Sequence, residues 1–230
     1  MLFKKASRIL SILTTLLIIL GLSFGFTQQE TGSSGKSGTL IVEVAGLPSG
    51  KEAEVWAVSK ESRRKFTLRP STDKAAAIQL SPNTYIITAL NVPAEGASYM
   101  VSDLRPNNVL QVSADETTTV SIEYVQAAVL IIEVNNLPDS VLSKLDVINS
   151  ASGEKLSVCN LVNSPSILTL LPNYYAVAAF NIGVNGNTYK ADKSVSSVNL
   201  KSGERTTISI NYNNMGETKE GDLEGISSDC

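Results

Sequence analysis

The chain contains one segment of about 88 residues twice. Three pairs of matching stretches share this spacing, with offsets of 90, 90 and 88 residues: TLIVEVAGLP (39–48) with VLIIEVNNLP (129–138), LSPNTYIITALNV (80–92) with LLPNYYAVAAFNI (170–182), and ETTTVSIEY (116–124) with ERTTISINY (204–212). A repeat of this length is too long for one unit of a solenoid. It has the size of a small β-sandwich domain, and we expect one domain at 39–125 and a second at 127–213.

Within a repeat, short stretches of alternating apolar and polar residues are separated by turn residues, which is the pattern of half-buried strands. In the first repeat these stretches predict strands at 40–44, 54–59, 65–69, 76–80, 85–92, 99–102, 109–113 and 118–124. Thr, Val, Ile and Tyr dominate them, as strands prefer. Apart from the N-terminal segment, nothing shows a helical apolar stripe. The sequence therefore predicts an all-β fold of two tandem antiparallel sandwiches.

Positions that stay apolar in both repeats are predicted to form the two cores. These pairs are Leu40/Leu130, Val44/Val134, Leu47/Leu137, Val55/Leu145, Ala57/Val147, Phe66/Leu156, Leu68/Val158, Leu80/Leu170, Ile87/Val177, Ala89/Ala179, Val120/Ile208 and Ile122/Ile210. Positions that change character between the repeats are predicted to lie at the surface.

The two ends of the chain differ from the repeats. Residues 1–26 combine three early basic residues with an uncharged apolar run at 9–26, which is typical of a secretory signal peptide or of a retained N-terminal membrane anchor helix. Either alternative places the rest of the chain outside the cytoplasmic membrane, and only an uncleaved 9–26 would contact the membrane. Residues 27–38 are rich in Gly and Ser and predict a flexible linker. Residues 214–230 are acidic and predict a disordered tail.

The LP turns and the L-x-P-N-x-Y elements resemble those of bacterial exported repeat domains with the pattern GLPxG, LxPGxY and a final VxVxY. The chain is similar to prealbumin-like sandwiches, including carboxypeptidase regulatory-like and PEGA-type modules. Both copies carry Asn, at Asn83 and Asn173, where that family has Gly; Asn tolerates the left-handed backbone that Gly supplies. The resemblance implies prealbumin-like or Ig-like domains in a noncatalytic extracytoplasmic module with no specific ligand.

Several classes of chemistry lack the residues they need. The chain has no histidine and two cysteines, so a Ser–His nucleophile and a cysteine- or histidine-based zinc site are excluded. No dinucleotide, P-loop or calcium-loop motif occurs. Glu43 and Glu133 recur at one strand position, where we expect exposed side chains. A net charge of −3 argues against a nucleic-acid surface. We expect no enzyme activity, no cofactor and no metal.

Aromatic side chains are the candidates for ligand binding. Trp56 is the only tryptophan, and the second repeat has Asp146 in its place, so it is predicted to be exposed. Tyr99 and Tyr189 occupy equivalent positions. Such rings could stack on sugars, whereas the alternative is that the repeated tyrosines are rim residues whose hydroxyls bond to the backbone. The expected function is a structural or binding module of the cell envelope, whose partners are envelope proteins or glycans. The alternative is a carbohydrate-binding accessory module.

Cys159 and Cys230 are the only cysteines. In an oxidising compartment they could pair and fix the tail to the second domain, or pair between two chains, or each could remain a free thiol.

Overall fold

The computed structural model describes residues 35–217, and this range is all-β. The chain divides between Val125 and Gln126 into two compact units, which we call domain 1 and domain 2. Each is a sandwich of a five-stranded and a four-stranded sheet. The all-β fold with two tandem sandwiches, predicted from the repeats, is confirmed.

Domain 1 contains nine strands: β1 (Gly38–Ala45), β2 (Val55–Ser59), β3 (Lys65–Leu68), β4 (Ala76–Leu80), β5 (Asn83–Ala89), β6 (Val92–Ala94), β7 (Ala97–Arg105), β8 (Val109–Val112) and β9 (Thr117–Gln126). The five-stranded sheet has the order β4-β1-β9-β7-β6, and the four-stranded sheet has the order β3-β2-β5-β8.

Domain 2 repeats this plan with β10 (Ala128–Asn135), β11 (Leu142–Asn149), β12 (Lys155–Leu161), β13 (Ser166–Leu170), β14 (Asn173–Ala179), β15 (Ile182–Val184), β16 (Asn187–Ala191), β17 (Val195–Leu200) and β18 (Arg205–Glu217). Its sheets have the orders β13-β10-β18-β16-β15 and β12-β11-β14-β17.

The first and last strands of each domain pair in parallel, whereas the other registered pairs are antiparallel. In domain 1 the register runs over seven residue pairs, from Thr39↔Thr117 to Ala45↔Glu123. In domain 2 it also runs over seven pairs, from β10 to β18. The alternating pattern of β1 and β9 predicts two strands with one buried face, but it does not encode the direction in which they pair. The prediction of antiparallel sandwiches is therefore corrected for the pairing of the first strand with the last in each domain.

The core of each domain lies between its two sheets, as the repeat comparison predicts. Residues from both sheets form it: β1 contributes Leu40 and Val42, and β2 contributes Val55 and Ala57, all of them fully buried. In domain 2 Leu130 is equally buried. Alternation along each strand places these side chains on one face, so every second residue loses its contact with water.

Leu156 departs from the predicted core. Its equivalent, Phe66, is buried and its ring packs edge-on against Tyr85 with centroids 6.2 Å apart. The Leu156 side chain is 45% exposed, although it pairs with the buried Val147. Leu156 lies on β12, an edge strand, and its side chain is shorter than a phenylalanine ring, so it remains at the rim of the sandwich.

Two strand boundaries also differ from the predictions. The predicted strand at 85–92 is interrupted after Ala89, because the chain there leaves the four-stranded sheet and enters the five-stranded one as β6. In domain 2, β18 continues to Glu217, four residues into the predicted tail, since this extension pairs with β16 through Asn187↔Glu217.

The predicted signal or anchor, most of the predicted linker and residues 218–230 lie outside the described residues. Between residues 35 and 217, no helix has the length and apolar character needed to cross a membrane.

Candidate functional site

Trp56 lies on the outward face of the four-stranded sheet of domain 1 and is half-buried. Its register partner on β3 is Thr67, and Lys65 is its diagonal neighbour on the same face. The Lys65 Nζ lies 3.9 Å from the centre of the indole ring. The indole Nε1–H donates a hydrogen bond to Glu54 Oε1 at 2.8 Å, and the other carboxylate oxygen of Glu54 pairs with Arg69 at 3.2 Å. One ring face and the polar edge of the indole are therefore engaged within domain 1.

Domain 2 uses the same lysine position with a different partner. Asp146 replaces the tryptophan and is almost completely buried, so the prediction that positions which change character lie at the surface is wrong for this residue. Its carboxylate accepts hydrogen bonds from Ser157 Oγ at 2.6 Å and from Lys155 Nζ at 3.3 Å. Burial opposes ionisation, but the Ser157 hydroxyl and the Lys155 ammonium outweigh it and hold the pKa of Asp146 below its usual value.

This lysine was not among the residues predicted from the sequence to form a site. A comparison of the two repeats could have pointed to it. Lys65 and Lys155 are equivalent and both are lysine, whereas their partner changes from Trp56 to Asp146. A cation can be stabilised by an aromatic ring or by a carboxylate. The lysine thus joins neighbouring strands in both domains by two different interactions.

The hydroxyls of two repeated tyrosine pairs bond to the backbone. Tyr85 donates to Ser81 O at 2.9 Å, and its equivalent Tyr175 donates to Leu171 O at 2.9 Å. Tyr124 donates in the same way to Leu90 O at 3.0 Å.

Tyr212, the equivalent of Tyr124 in domain 2, donates to Phe180 O at 3.1 Å. Burial raises the pKa of Tyr124 to about 12, and burial also raises the pKa of Tyr212. The hydroxyls of these four rings bond to the backbone, as the alternative interpretation expects, but the rings are buried in the two cores and not at the rim.

The three candidate ligand-binding aromatics do not form one platform. Tyr99 lies on β7 in the five-stranded sheet, where its half-buried ring packs against the core, whereas Trp56 lies on the opposite sheet. Tyr189 lies on β16, packs against the core of domain 2, and accepts a hydrogen bond from Asn214 Nδ2 at 3.3 Å. Their role in ligand binding stays a prediction.

Cys159 lies on β12, opposite Lys144 of β11, and its side chain is exposed. Cys230 lies outside the described residues. The pairing of these two cysteines therefore stays a prediction.

Each domain has a shallow depression beside its first strand. In domain 1 a volume of about 260 Å³ is lined by residues that include Glu43, Asp103, Arg105 and Glu123. Arg105 Nε and Asp103 Oδ2 form an ion pair at 2.5 Å across this surface. In domain 2 a volume of about 310 Å³ lies beside Glu133.

Glu43 and Glu133 are exposed on their strands, as predicted. Within residues 35–217, no group of three or more acidic or cysteine side chains is placed to hold a metal ion.

Comparison with known proteins identified structures but no family. No family model and no curated protein matches the chain. Among solved structures, the chain is similar to the TIE protein of Bacillus anthracis, with 18% identity and a TM-score of 0.31 over 76% of this chain. It covers 34% of the TIE protein's chain, about a third of its length.

It is also similar to GBS52, the minor pilin of Streptococcus agalactiae, with 9% identity and a TM-score of 0.38 over 80% of this chain and 98% of the pilin. A streptococcal ancillary pilin matches with 12% identity and a TM-score of 0.35, over 79% of this chain and 64% of that one.

Proposed function

We propose that this chain is a noncatalytic structural or binding module that works outside the cytoplasmic membrane, with two prealbumin-like or Ig-like sandwiches in series. The proposal rests on one observation: the most distinctive side chains of domain 1 form their bonds inside the domain. The indole of Trp56, the lysine beside it and the hydroxyls of Tyr85 and Tyr124 all bond within domain 1. These contacts hold strands together, so what the chain offers to a partner is the surface of its sheets and loops.

The exported location rests on the basic and apolar N-terminal segment. The test is the mature N-terminus, determined by mass spectrometry on the protein recovered from fractionated host cells. We expect it in the envelope or the medium, and a terminus after residue 26 would show a cleaved signal. Recovery of the intact chain from the cytoplasmic fraction alone would contradict the proposal.

The alternative is a carbohydrate-binding accessory module in which Trp56 stacks on a sugar. Because the Lys65 ammonium occupies one face of the ring, a sugar would have to displace it on that side. The test is a titration of soluble polysaccharides followed by tryptophan fluorescence, with Lys65→Ala as a variant whose ring face is uncovered. Trp56→Phe has no tryptophan signal, so this control is compared with the unmodified protein by isothermal titration calorimetry. A saturable change in the unmodified protein would support the alternative. No change with either the unmodified protein or Lys65→Ala across a broad panel would remove it.

A further inference from the structure

The first and last strands of each sandwich lie side by side and point in the same direction. In domain 1, β1 and β9 are parallel over seven residue pairs, and the Thr39 N–H donates to Glu116 O at 2.8 Å at the start of this ladder. In domain 2, β10 and β18 are parallel over seven pairs, and the Val129 N–H donates to Glu204 O at 2.8 Å. The chain enters each domain through one strand of the pair and leaves it through the other.

This direction decides how a pull on the chain is resisted. In a parallel pair, the start of the first strand and the end of the last strand lie at opposite ends of the ladder. Force applied to them acts along the strands and across the hydrogen bonds, so the ladder bonds are strained together. If the two strands were antiparallel, both points would lie at one end, and the bonds would open one after another.

The connection between the domains passes the load directly from one ladder to the next. β9 ends at Gln126 and β10 begins at Ala128, so a single residue separates them. In domain 2 the ladder also carries side-chain bonds, since Ser209 Oγ donates to Glu133 Oε2 at 3.0 Å and Asn135 Nδ2 donates to Asn211 Oδ1 at 3.2 Å.

The turn after β1 lies against the other end of the same ladder. A Cβ built at Gly46 would lie 1.9 Å from the Tyr124 carbonyl oxygen, so the turn and the end of β9 are in close contact. Ser49, in this turn, is exposed. The end of β1 and the end of β9 lie at the same end of the ladder. A handle at Ser49 therefore applies force close to the point where the chain leaves domain 1 through β9.

We propose that the parallel pairs β1–β9 and β10–β18 are mechanical clamps, and that this chain bears tension applied between its two ends. Bearing tension is a specific task for the structural role proposed above, and the biological purpose of the clamps rests on that role. The clamps themselves are measured on the protein alone.

The test is single-molecule pulling of the full chain with two pairs of attachment points. In the first geometry, handles at Gly35 and Glu217 load both ladders along the strands. In the second, handles at Ser49 and Glu217 load domain 1 near one end of β1–β9, while domain 2 is loaded as before. Site-specific bio-orthogonal handles leave Cys159 and Cys230 unmodified, and the measurement is made under reducing conditions so that a disulfide between them does not shorten the chain that domain 2 releases.

We expect two unfolding events in the first geometry, each releasing about 30 nm of chain. In the second geometry the domain 1 event should release about 5 nm less, which identifies it. Its force should fall severalfold, because the bonds along the seven residue pairs of its ladder then break in succession and not together. The domain 2 force should stay unchanged and serves as the internal control.

Equal domain 1 forces in the two geometries would overturn the clamp, and so would a lower force in the end-to-end geometry. Either result would leave the proposed structural role standing, because that role is tested separately by the location of the mature protein. Recovery from the cytoplasm alone would contradict the role even if the clamps resisted force.

Discussion

Gly46 and Gly50 lie in the same turn of domain 1 and offer a matched pair of substitutions. Both have left-handed backbones, with φ of 80° and 74°. A Cβ at Gly50 would meet nothing within 4 Å, whereas a Cβ at Gly46 would lie 1.9 Å from the Tyr124 carbonyl oxygen. Gly50→Ala therefore introduces only backbone strain, and Gly46→Ala adds a clash with the backbone of β9.

The expected costs follow from these two effects. A left-handed alanine costs about 1–2 kcal/mol, and reduced freedom of the unfolded chain returns about 0.5 kcal/mol, so Gly50→Ala should lose about 1 kcal/mol. In Gly46→Ala the Tyr124 carbonyl must move by about 1 Å to make room for the new Cβ. This movement opens the end of the β1–β9 ladder and loses one or two hydrogen bonds at about 1 kcal/mol each. Gly46→Ala should therefore lose about 3 kcal/mol.

Urea denaturation followed by the fluorescence of Trp56 measures domain 1 specifically, because this is the only tryptophan. With a slope near 1 kcal/mol per molar urea, the midpoint should fall by about 1 M for Gly50→Ala and by about 3 M for Gly46→Ala. Equal shifts for the two variants would refute the argument that the approach of the turn to Tyr124 sets the larger cost.

Three further predictions concern titration and the cysteines. The lowered pKa of Asp146 means that its charged form stabilises domain 2. This contribution is present above about pH 4 and is lost as the pH falls through the folded-state pKa. Asp146→Asn should weaken this acid dependence in urea titrations followed by NMR signals of domain 2. Burial raises the pKa of Tyr124 to about 12, so its contribution is present below about pH 10 and is lost between about pH 10 and 12. Tyr124→Phe should be less stable at neutral pH by about 1 kcal/mol and should lose less in alkali, as followed by tryptophan fluorescence; equal alkaline losses in both proteins would contradict this. Finally, a peptide map of the oxidised protein should contain a peptide joined through Cys159 and Cys230 that separates on reduction, and two alkylated free thiols in the non-reduced sample would exclude the bond.

The cores could be predicted because both repeats carry the same constraint. Leu40 and Leu130 are completely buried, and an inward strand position tolerates little except an apolar side chain in either copy. Leu156 could not be placed this way, since an apolar residue at the rim of an edge strand satisfies the same pattern. The parallel pairing of β1 with β9 was also beyond the sequence, because alternation identifies the buried face of a strand but not its neighbour.

The surroundings of Trp56 show how much of the candidate site could be predicted from the sequence. The change from tryptophan to Asp146 between the repeats predicts an outward position, and the structure places Trp56 on the outward face of its sheet. Its contact with Lys65 depends on the register of β2 against β3, which sets the diagonal neighbours on that face. The alternating patterns of β2 and β3 do not by themselves fix this register, so the partner of the ring became visible only in the structure.

The pairing of first with last strands also constrains how the chain is made. Thr39 of β1 pairs with Thr117 of β9, so β1 lacks this partner until about 80 further residues have been synthesised. At about 5–20 residues per second, this wait lasts roughly 4–16 seconds on the ribosome. During that time the apolar face of β1 has no finished sandwich to cover it, and a translocating chain would need a chaperone or an occupied channel to keep this strand from pairing with another molecule.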